Sequence, residues 1–137
     1  MLLAVERVLL MKRVLFVCIE NSNRSQMAEA FAHMLGGPEV EASSAGSAPS
    51  GVINPKAIAA MAELGYDLAM HASKSLADIT GEFDAVVTMG CGDSCPWVPA
   101  QRREDWALPD PKHLEGDAYR AVRDDIRERV RALLASL

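Results

Sequence analysis

The chain has 137 residues, 50% of them hydrophobic and 24% charged, which is typical of one globular domain. Its net charge of −5 argues against binding to nucleic acid or to an anionic membrane, so an anion site would have to be local. With three cysteines and no secretory signal, an extracellular disulfide framework is disfavoured, and we expect a cytoplasmic protein.

The first ten residues are apolar but too short to span a membrane, and they lack a signal-peptide cleavage site. Met11 precedes Lys12 and the first predicted strand, and it could serve as an alternative start. We therefore interpret residues 1–11 as an N-terminal extension or a mis-assigned start. A single folded domain is expected over residues 12–137.

A polar loop joins the first predicted strand to the first predicted helix. Residues 14–17 form a hydrophobic run, and residues 25–35 show helical periodicity ended by two glycines. The loop between them places Cys18 and Arg24 with five residues in between. A buried structural cysteine is the alternative interpretation, but the strand–loop–helix context favours a functional loop.

This loop has the chemistry of an oxyanion site that carries a nucleophile. Its backbone N–H groups can converge on a tetrahedral anion at the start of a helix, where the helix dipole favours negative charge. The same field favours the thiolate form of Cys18, and the Ser25 hydroxyl can donate to its sulfur. The Arg24 guanidinium can hold two oxygens of the anion. The predicted anion-binding residues are Ile19, Glu20, Asn21, Ser22, Asn23, Arg24 and Ser25.

The remaining elements continue an alternation of strands and helices. We predict strands at residues 40–43, 83–89 and 106–108, a helix at 55–64 capped by Asn54, a helical turn at 76–79 and a helix at 117–137. This order predicts an α/β fold, a single three-layer domain with a four-stranded parallel sheet and helices on both faces. Ligands bind such sheets beyond the C-terminal strand ends, where Cys18, Cys91 and Asp110 each follow a strand.

Cys91 and Cys95 lie close together in a loop that contains glycine and proline. Two thiols at this spacing come within disulfide reach if the segment bends. A zinc site with His71 or His113 is an alternative, although the spacing is unusual for zinc. Another alternative is that Cys91 and Cys95 are simply two small, buried side chains.

The Cys18–Ser25 loop resembles the active-site loop of the low-molecular-weight protein tyrosine phosphatases and of the arsenate reductases that share their fold. Asp110-Pro111 resembles the late Asp-Pro pair that carries the general acid in both groups. The similarity runs from about Lys12 to the C-terminal helix. It implies a low-molecular-weight phosphatase-like catalytic domain over residues 12–137.

Two features favour the arsenate reductase branch. The segment that contains Cys91 and Cys95 resembles the resolving-cysteine loop of thiol-dependent arsenate reductases, although these two cysteines are closer together than is common there. After Asp110-Pro111 the next aromatic residue is Tyr119, so we expect an open, polar pocket that suits a small inorganic anion.

The resemblance implies a sequence of reactions for this chain. Cys18 would attack arsenate, Asp110 would protonate the leaving group, and Cys91 and Cys95 would relay the oxidation to thioredoxin or a low-molecular-weight thiol. Phosphate or sulfate would compete for the loop. The alternative is a phosphatase that hydrolyses phosphate monoesters through a Cys18 phosphocysteine intermediate. A non-catalytic anion-binding module is a third class, disfavoured because binding alone needs no nucleophilic thiol.

The resemblance also implies a monovalent cation near the loop, with Asn21, Glu29 and Ser44 as candidate ligands. We expect no other metal and no tightly bound cofactor, and we expect a monomer. The histidines at positions 33, 71 and 113 receive no catalytic role.

Overall fold

The computed structural model describes residues 11–90 and 98–137. Four strands, β1 (Lys12–Cys18), β2 (Val40–Gly46), β3 (Phe83–Thr88) and β4 (Ala100–Asp105), form one sheet in the order β2-β1-β3-β4. All three strand pairs are parallel, which confirms the predicted four-stranded parallel sheet. The predictions for residues 1–10 and for Cys91 and Cys95 lie outside the described residues.

The first strand is hydrophobic without interruption because it lies in the interior of the sheet. It pairs with β2 on one side and with β3 on the other. Its two faces also contact separate hydrophobic clusters, with Val14 and Phe16 on one face and Leu15 and Val17 on the other. A strand that is covered on both faces loses the alternation of polar and apolar residues.

Three α-helices, α1 (Arg24–Gly36), α2 (Pro55–Ala62) and α3 (Gly116–Ser136), contribute to the cluster on the Phe16 face. The other face packs against Leu76 and Ile79, at the 3-10 helix Leu76–Asp78. Further 3-10 helices lie at Gly37–Glu39, Leu68–Met70 and Pro111–His113. In residues 11–90 and 98–137, none of the helices has both the length and the apolar character needed to cross a membrane.

The position predicted for the fourth strand, residues 106–108, was wrong. The strand occupies Ala100–Asp105 and ends before Trp106. Among the described strands, β4 lies at the sheet edge and pairs only with β3, and most of its side chains are exposed, so its sequence lacks an apolar run. Trp106 is buried because its ring packs against Phe16, with 6.0 Å between ring centroids.

The strand order fixes where the loop after β1 lies. β1 is followed along the chain by β2 on one side, whereas β3 lies on its other side. The connections therefore diverge at the C-terminal ends of β1 and β3, and this divergence opens a crevice at that edge of the sheet. Cys18 is the last residue of β1 and lies at this crevice.

Candidate active site

A pocket of about 130 Å³ lies at the C-terminal end of β1. Its lining combines the predicted nucleophile, most of the predicted anion loop and the predicted general acid: Cys18, Ile19, Glu20, Ser22, Asn23, Arg24 and Asp110. In the described part of the chain, no aromatic side chain lines the pocket. This composition suits a small polar ligand better than a flat ring.

The loop is held from outside the pocket by its carbonyl oxygens. Four consecutive carbonyls accept hydrogen bonds from elsewhere: Ile19 from the Ala48 amide at 2.9 Å, Glu20 from the Ser50 amide at 3.0 Å, Asn21 from the Gln26 side chain at 3.1 Å and Ser22 from the Asn54 amide at 3.0 Å. A peptide's N–H points opposite to its C=O. The N–H groups that follow these carbonyls along the loop therefore point away from the same partners. This is the orientation needed for backbone N–H groups to converge on an anion.

Asn21 adopts a left-handed backbone conformation, with φ of 50°, that places its side chain beneath the loop. Asparagine tolerates this conformation better than most residues. Its Nδ2 donates to Ser25 Oγ at 2.8 Å, while its Oδ1 accepts from Gln26 Nε2 at 2.9 Å and from the Lys74 amide at 2.8 Å. The buried Asn21 side chain thus ties the loop to α1 and to the segment near residue 74.

The Cys18 sulfur lies 2.8 Å from Ser25 Oγ, and both residues are buried. Asn21 Nδ2 donates to the same hydroxyl oxygen, which leaves the Ser25 hydroxyl hydrogen available to the sulfur. An acceptor sulfur fits the thiolate form that a nucleophile requires.

Arg24 lines the pocket, and one of its guanidinium nitrogens is fixed. Nη1 donates to the Leu108 carbonyl at 3.0 Å. Gly90, after β3, has φ of 79°, and a Cβ atom there would lie 2.9 Å from Arg24 Nη1. A glycine at this position therefore permits both the backbone conformation and the approach of the guanidinium.

Asp110 lies at the rim of the same pocket, at the start of the 3-10 helix Pro111–His113. Its Oδ1 accepts from the Lys112 amide at 3.0 Å, which fixes the carboxyl group at the turn. Glu20, whose negative charge would oppose an anion, has its Oε1 3.6 Å from Lys112 Nζ. This ion pair offsets the negative charge that Glu20 brings to the pocket.

Tyr119, which the sequence reasoning did not assign to the site, contacts the loop from α3. Its hydroxyl donates to Asn23 Oδ1 at 2.6 Å. Burial, with the nearby charge of Asp110, raises the pKa of Tyr119 well above its ordinary value, so the phenol remains a donor. Asn23 is the N-cap residue of α1 but makes no side-chain capping bond, which leaves the first amides of the helix to a ligand.

The proposed cation ligands are only partly brought together. Ser44 Oγ donates to Glu29 Oε1 at 2.8 Å, but Asn21 Oδ1 is already engaged by Gln26 and the Lys74 amide. Lys74 Nζ lies 3.5 Å from Glu29 Oε1 and supplies a positive charge there. The residues present do not fit a monovalent cation between Asn21, Ser44 and Glu29 Oε1, because the Lys74 ammonium group already lies beside that oxygen.

Glu29 is a buried carboxylate surrounded by donors. Burial opposes its ionisation, but the hydrogen bond with His33, the charges of His71 and Lys74 and the hydrogen bond from Ser44 outweigh that effect and lower the pKa of Glu29. Burial lowers the pKa of His71, against the opposite influence of Glu29. Negative charge is therefore favoured on Glu29, and positive charge is disfavoured on His71.

A chain of polar side chains connects Glu29 to the loop, and sequence reasoning missed it. Gln26 is fully buried, and its Oε1 lies 3.0 Å from His71 Nδ1 while its Nε2 donates to Asn21 and to the Ala72 carbonyl. The position of Gln26 directly after the loop was the one feature of the sequence that pointed to its role. His71 and Lys74 are distant in sequence, and nothing near them indicates the contact.

Comparisons with known proteins agree with this geometry. Residues 13–137 match the family model described as low molecular weight phosphotyrosine protein phosphatase. The glutaredoxin arsenate reductase of Synechocystis is 40% identical over 131 residues, covering 93% of this chain and 99% of that protein. Arsenate reductase 1 of Staphylococcus haemolyticus is 38% identical over 130 residues, covering 92% and 97%.

A solved structure described as an arsenate reductase in the phosphate binding state superposes with a TM-score of 0.85 at 40% identity. The match covers 92% of this chain and 98% of that one. The family match spans both the anion loop and the C-terminal helix that contacts it. The chain belongs to the low molecular weight phosphotyrosine protein phosphatase family.

Proposed function

We propose that this protein reduces arsenate to arsenite, with Cys18 as the nucleophile. The observation that carries the proposal is a small pocket, without aromatic residues in its described lining, that unites Cys18, Arg24 and Asp110. The kinship with arsenate reductases at about 40% identity supports the same reaction.

In the first step, the Cys18 thiolate attacks the arsenic atom of bound arsenate. Arg24 and the loop amides hold the oxygens of the anion. The Ser25 hydroxyl, 2.8 Å from the sulfur, can donate a hydrogen bond to the attacking thiolate. Asp110 gives a proton to the oxygen that leaves, so water departs and a bond forms between the Cys18 sulfur and arsenic.

In the second step, the Cys91 thiolate attacks the Cys18 sulfur. The bond from that sulfur to arsenic breaks, and its electron pair stays on arsenic, which leaves as arsenite. Cys95 then attacks Cys91 in the new disulfide, which releases Cys18 and leaves a Cys91–Cys95 disulfide. This relay rests on the sequence pattern, since both residues lie outside the described part of the chain.

An external thiol completes the cycle by reducing the Cys91–Cys95 disulfide. We propose thioredoxin or a low-molecular-weight thiol for this role, and the name of the Synechocystis relative adds glutaredoxin as a protein to test. Phosphate and sulfate compete with arsenate at the loop. No step passes through a monovalent cation, because Lys74 already provides a positive charge at Glu29 Oε1.

Hydrolysis of phosphate monoesters is the second candidate function. It requires Cys18, Arg24, Ser25 and Asp110 but neither of the other cysteines. The family description and the shared pocket favour it as an activity of the same site. The first chemical step is a nucleophilic attack by the Cys18 sulfur in both reactions.

Three single variants, Cys18→Ser, Cys91→Ser and Cys95→Ser, assayed in parallel separate the two functions. We expect Cys91→Ser to lose thiol-coupled arsenate reduction but to retain hydrolysis of p-nitrophenyl phosphate. Cys95→Ser should lose turnover while still forming one arsenite per enzyme. Cys18→Ser should lose both activities. A parent enzyme that hydrolyses the ester, reduces no arsenate and is unaffected by Cys91→Ser would be a phosphatase instead.

A further inference from the structure

We propose that Glu29, His33 and His71 form a binding site for a divalent transition-metal ion of the zinc class. This site lies behind the anion loop and uses none of the residues that line the pocket. The three side chains each offer one ligand atom, and these atoms all lie within 4.8 Å of one another. Two imidazoles and one carboxylate are a donor set that zinc accepts.

Two of the three distances between ligand atoms are close to those of a tetrahedral site. Bonds of about 2.0–2.2 Å from zinc to nitrogen and oxygen place neighbouring ligand atoms about 3.3 Å apart. Here Glu29 Oε2 lies 3.0 Å from His71 Nδ1 and 3.5 Å from His33 Nε2. The carboxylate oxygen therefore already has the right spacing to both imidazoles.

The same residues have the outer contacts that orient metal ligands. Ser44 Oγ donates to the other carboxylate oxygen, Glu29 Oε1, at 2.8 Å. The Tyr66 hydroxyl lies 2.6 Å from His71 Nε2 and fixes the orientation of that ring. A hydrogen bond on the ring nitrogen that faces away from the metal is the usual support of a histidine ligand.

An ion can reach this cluster from solvent. The Glu29 and His71 side chains are 9% and 5% exposed, whereas the His33 side chain is 40% exposed. Glu29 and His33 lie one turn apart on α1, so their spacing is set by the helix. The exposed side at His33 leaves room for water as a fourth ligand.

Two contacts of the cluster oppose metal binding, and each has a consequence that can be measured. Lys74 Nζ lies 3.5 Å from Glu29 Oε1, so its charge repels a second cation. A metal at His71 Nδ1 also replaces the hydrogen bond between that nitrogen and Gln26 Oε1. Because Gln26 donates to Asn21, occupation of this site should disturb the packing beneath the anion loop.

The test is metal titration of the full-length chain with Cys18, Cys91 and Cys95 replaced by serine, which removes the thiol ligands. Cobalt(II) reports a tetrahedral site through its visible absorption, and zinc affinity is measured by calorimetry. We expect one ion per chain and a loss of at least about tenfold in affinity for His33→Ala. His113→Ala is the matched control because His113 is exposed and lies in the 3-10 helix Pro111–His113, away from the cluster.

Two further measurements sharpen the result. Lys74→Ala should bind zinc more tightly, and zinc should shift the side-chain amide signals of Gln26 in NMR spectra. His33 is exposed enough that His33→Ala should fold normally, as circular dichroism can verify. Equal zinc affinity in His33→Ala and in the parent, or no metal-dependent cobalt absorption, would overturn the proposal. Neither outcome depends on which reaction Cys18 catalyses.

Discussion

Ser25 Oγ lies 2.8 Å from the Cys18 sulfur and accepts a hydrogen bond from Asn21 Nδ2, also at 2.8 Å. This arrangement leaves the Ser25 hydroxyl hydrogen available to a thiolate at Cys18. A hydrogen bond to a charged group contributes about 1.5–3 kcal/mol, considerably more than a bond between neutral groups.

Ser25→Ala should therefore reduce kcat/KM with arsenate by about 10- to 100-fold. Alkylation of Cys18 by iodoacetamide at neutral pH, followed residue by residue with mass spectrometry, should slow in parallel. Ser50→Ala is the control, since Ser50 is exposed and, among the described residues, its hydroxyl bonds only to the nearby backbone of Val52. Unchanged Cys18 alkylation in Ser25→Ala would show that the hydroxyl does not support the thiolate.

Gly90→Ala should weaken anion binding because the new Cβ would lie 2.9 Å from Arg24 Nη1. The backbone penalty of a side chain at positive φ is about 1–2 kcal/mol and must be separated from this contact. Gly65→Ala is the matched control. The φ of Gly65 is 81°, close to the 79° of Gly90, but no described atom lies within 4 Å of a Cβ built at Gly65. Both variants should lose similar stability in urea, and only Gly90→Ala should lose phosphate affinity.

Lys112→Ala should lower phosphate affinity by about two- to fivefold, because it leaves the Glu20 charge at the pocket without its partner. Glu20→Gln should have the opposite effect. In the double variant the loss caused by Lys112→Ala should disappear, since the charge that it exposes is gone. An equal loss in both backgrounds would mean that Lys112 acts on the anion directly.

Tyr119→Phe should cost about 1 kcal/mol of unfolding free energy, the typical value of one hydrogen bond. It should also weaken phosphate binding, because Asn23 would be free to cap α1 and compete for its first amides. Phosphate affinity by calorimetry and urea unfolding measure the two effects. A loss of stability with unchanged phosphate affinity would limit Tyr119 to a structural role.

The sequence was sufficient to predict where the Cys18–Ser25 loop lies because its parts are contiguous. Cys18 and Arg24 lie between a buried strand and a helix, and each flanking element has a clear hydrophobic pattern. The parallel sheet followed from the same alternation of elements. The family was recognisable from this loop together with Asp110-Pro111.

The sequence was less informative where structure depends on distant partners. The edge strand Ala100–Asp105 has mostly exposed side chains and resembles a loop in sequence, so the apolar residues near Trp106 were taken for the strand. Gln26 and His71 are 45 residues apart, yet together they support Asn21. No local pattern encodes such a contact, because it arises only when the tertiary fold brings the residues together.

The four carbonyl contacts behind the loop have a consequence for how this scaffold can change. The atoms that fix the loop's shape come from residues 48–54 and from Gln26, not from the side chains that line the pocket. Substitutions at Ile19 or Ser22 can thus alter which oxyanion is preferred while leaving the curvature of the peptide intact. Selectivity and architecture are encoded by separate groups of residues, so evolution or an engineer can adjust one without rebuilding the other.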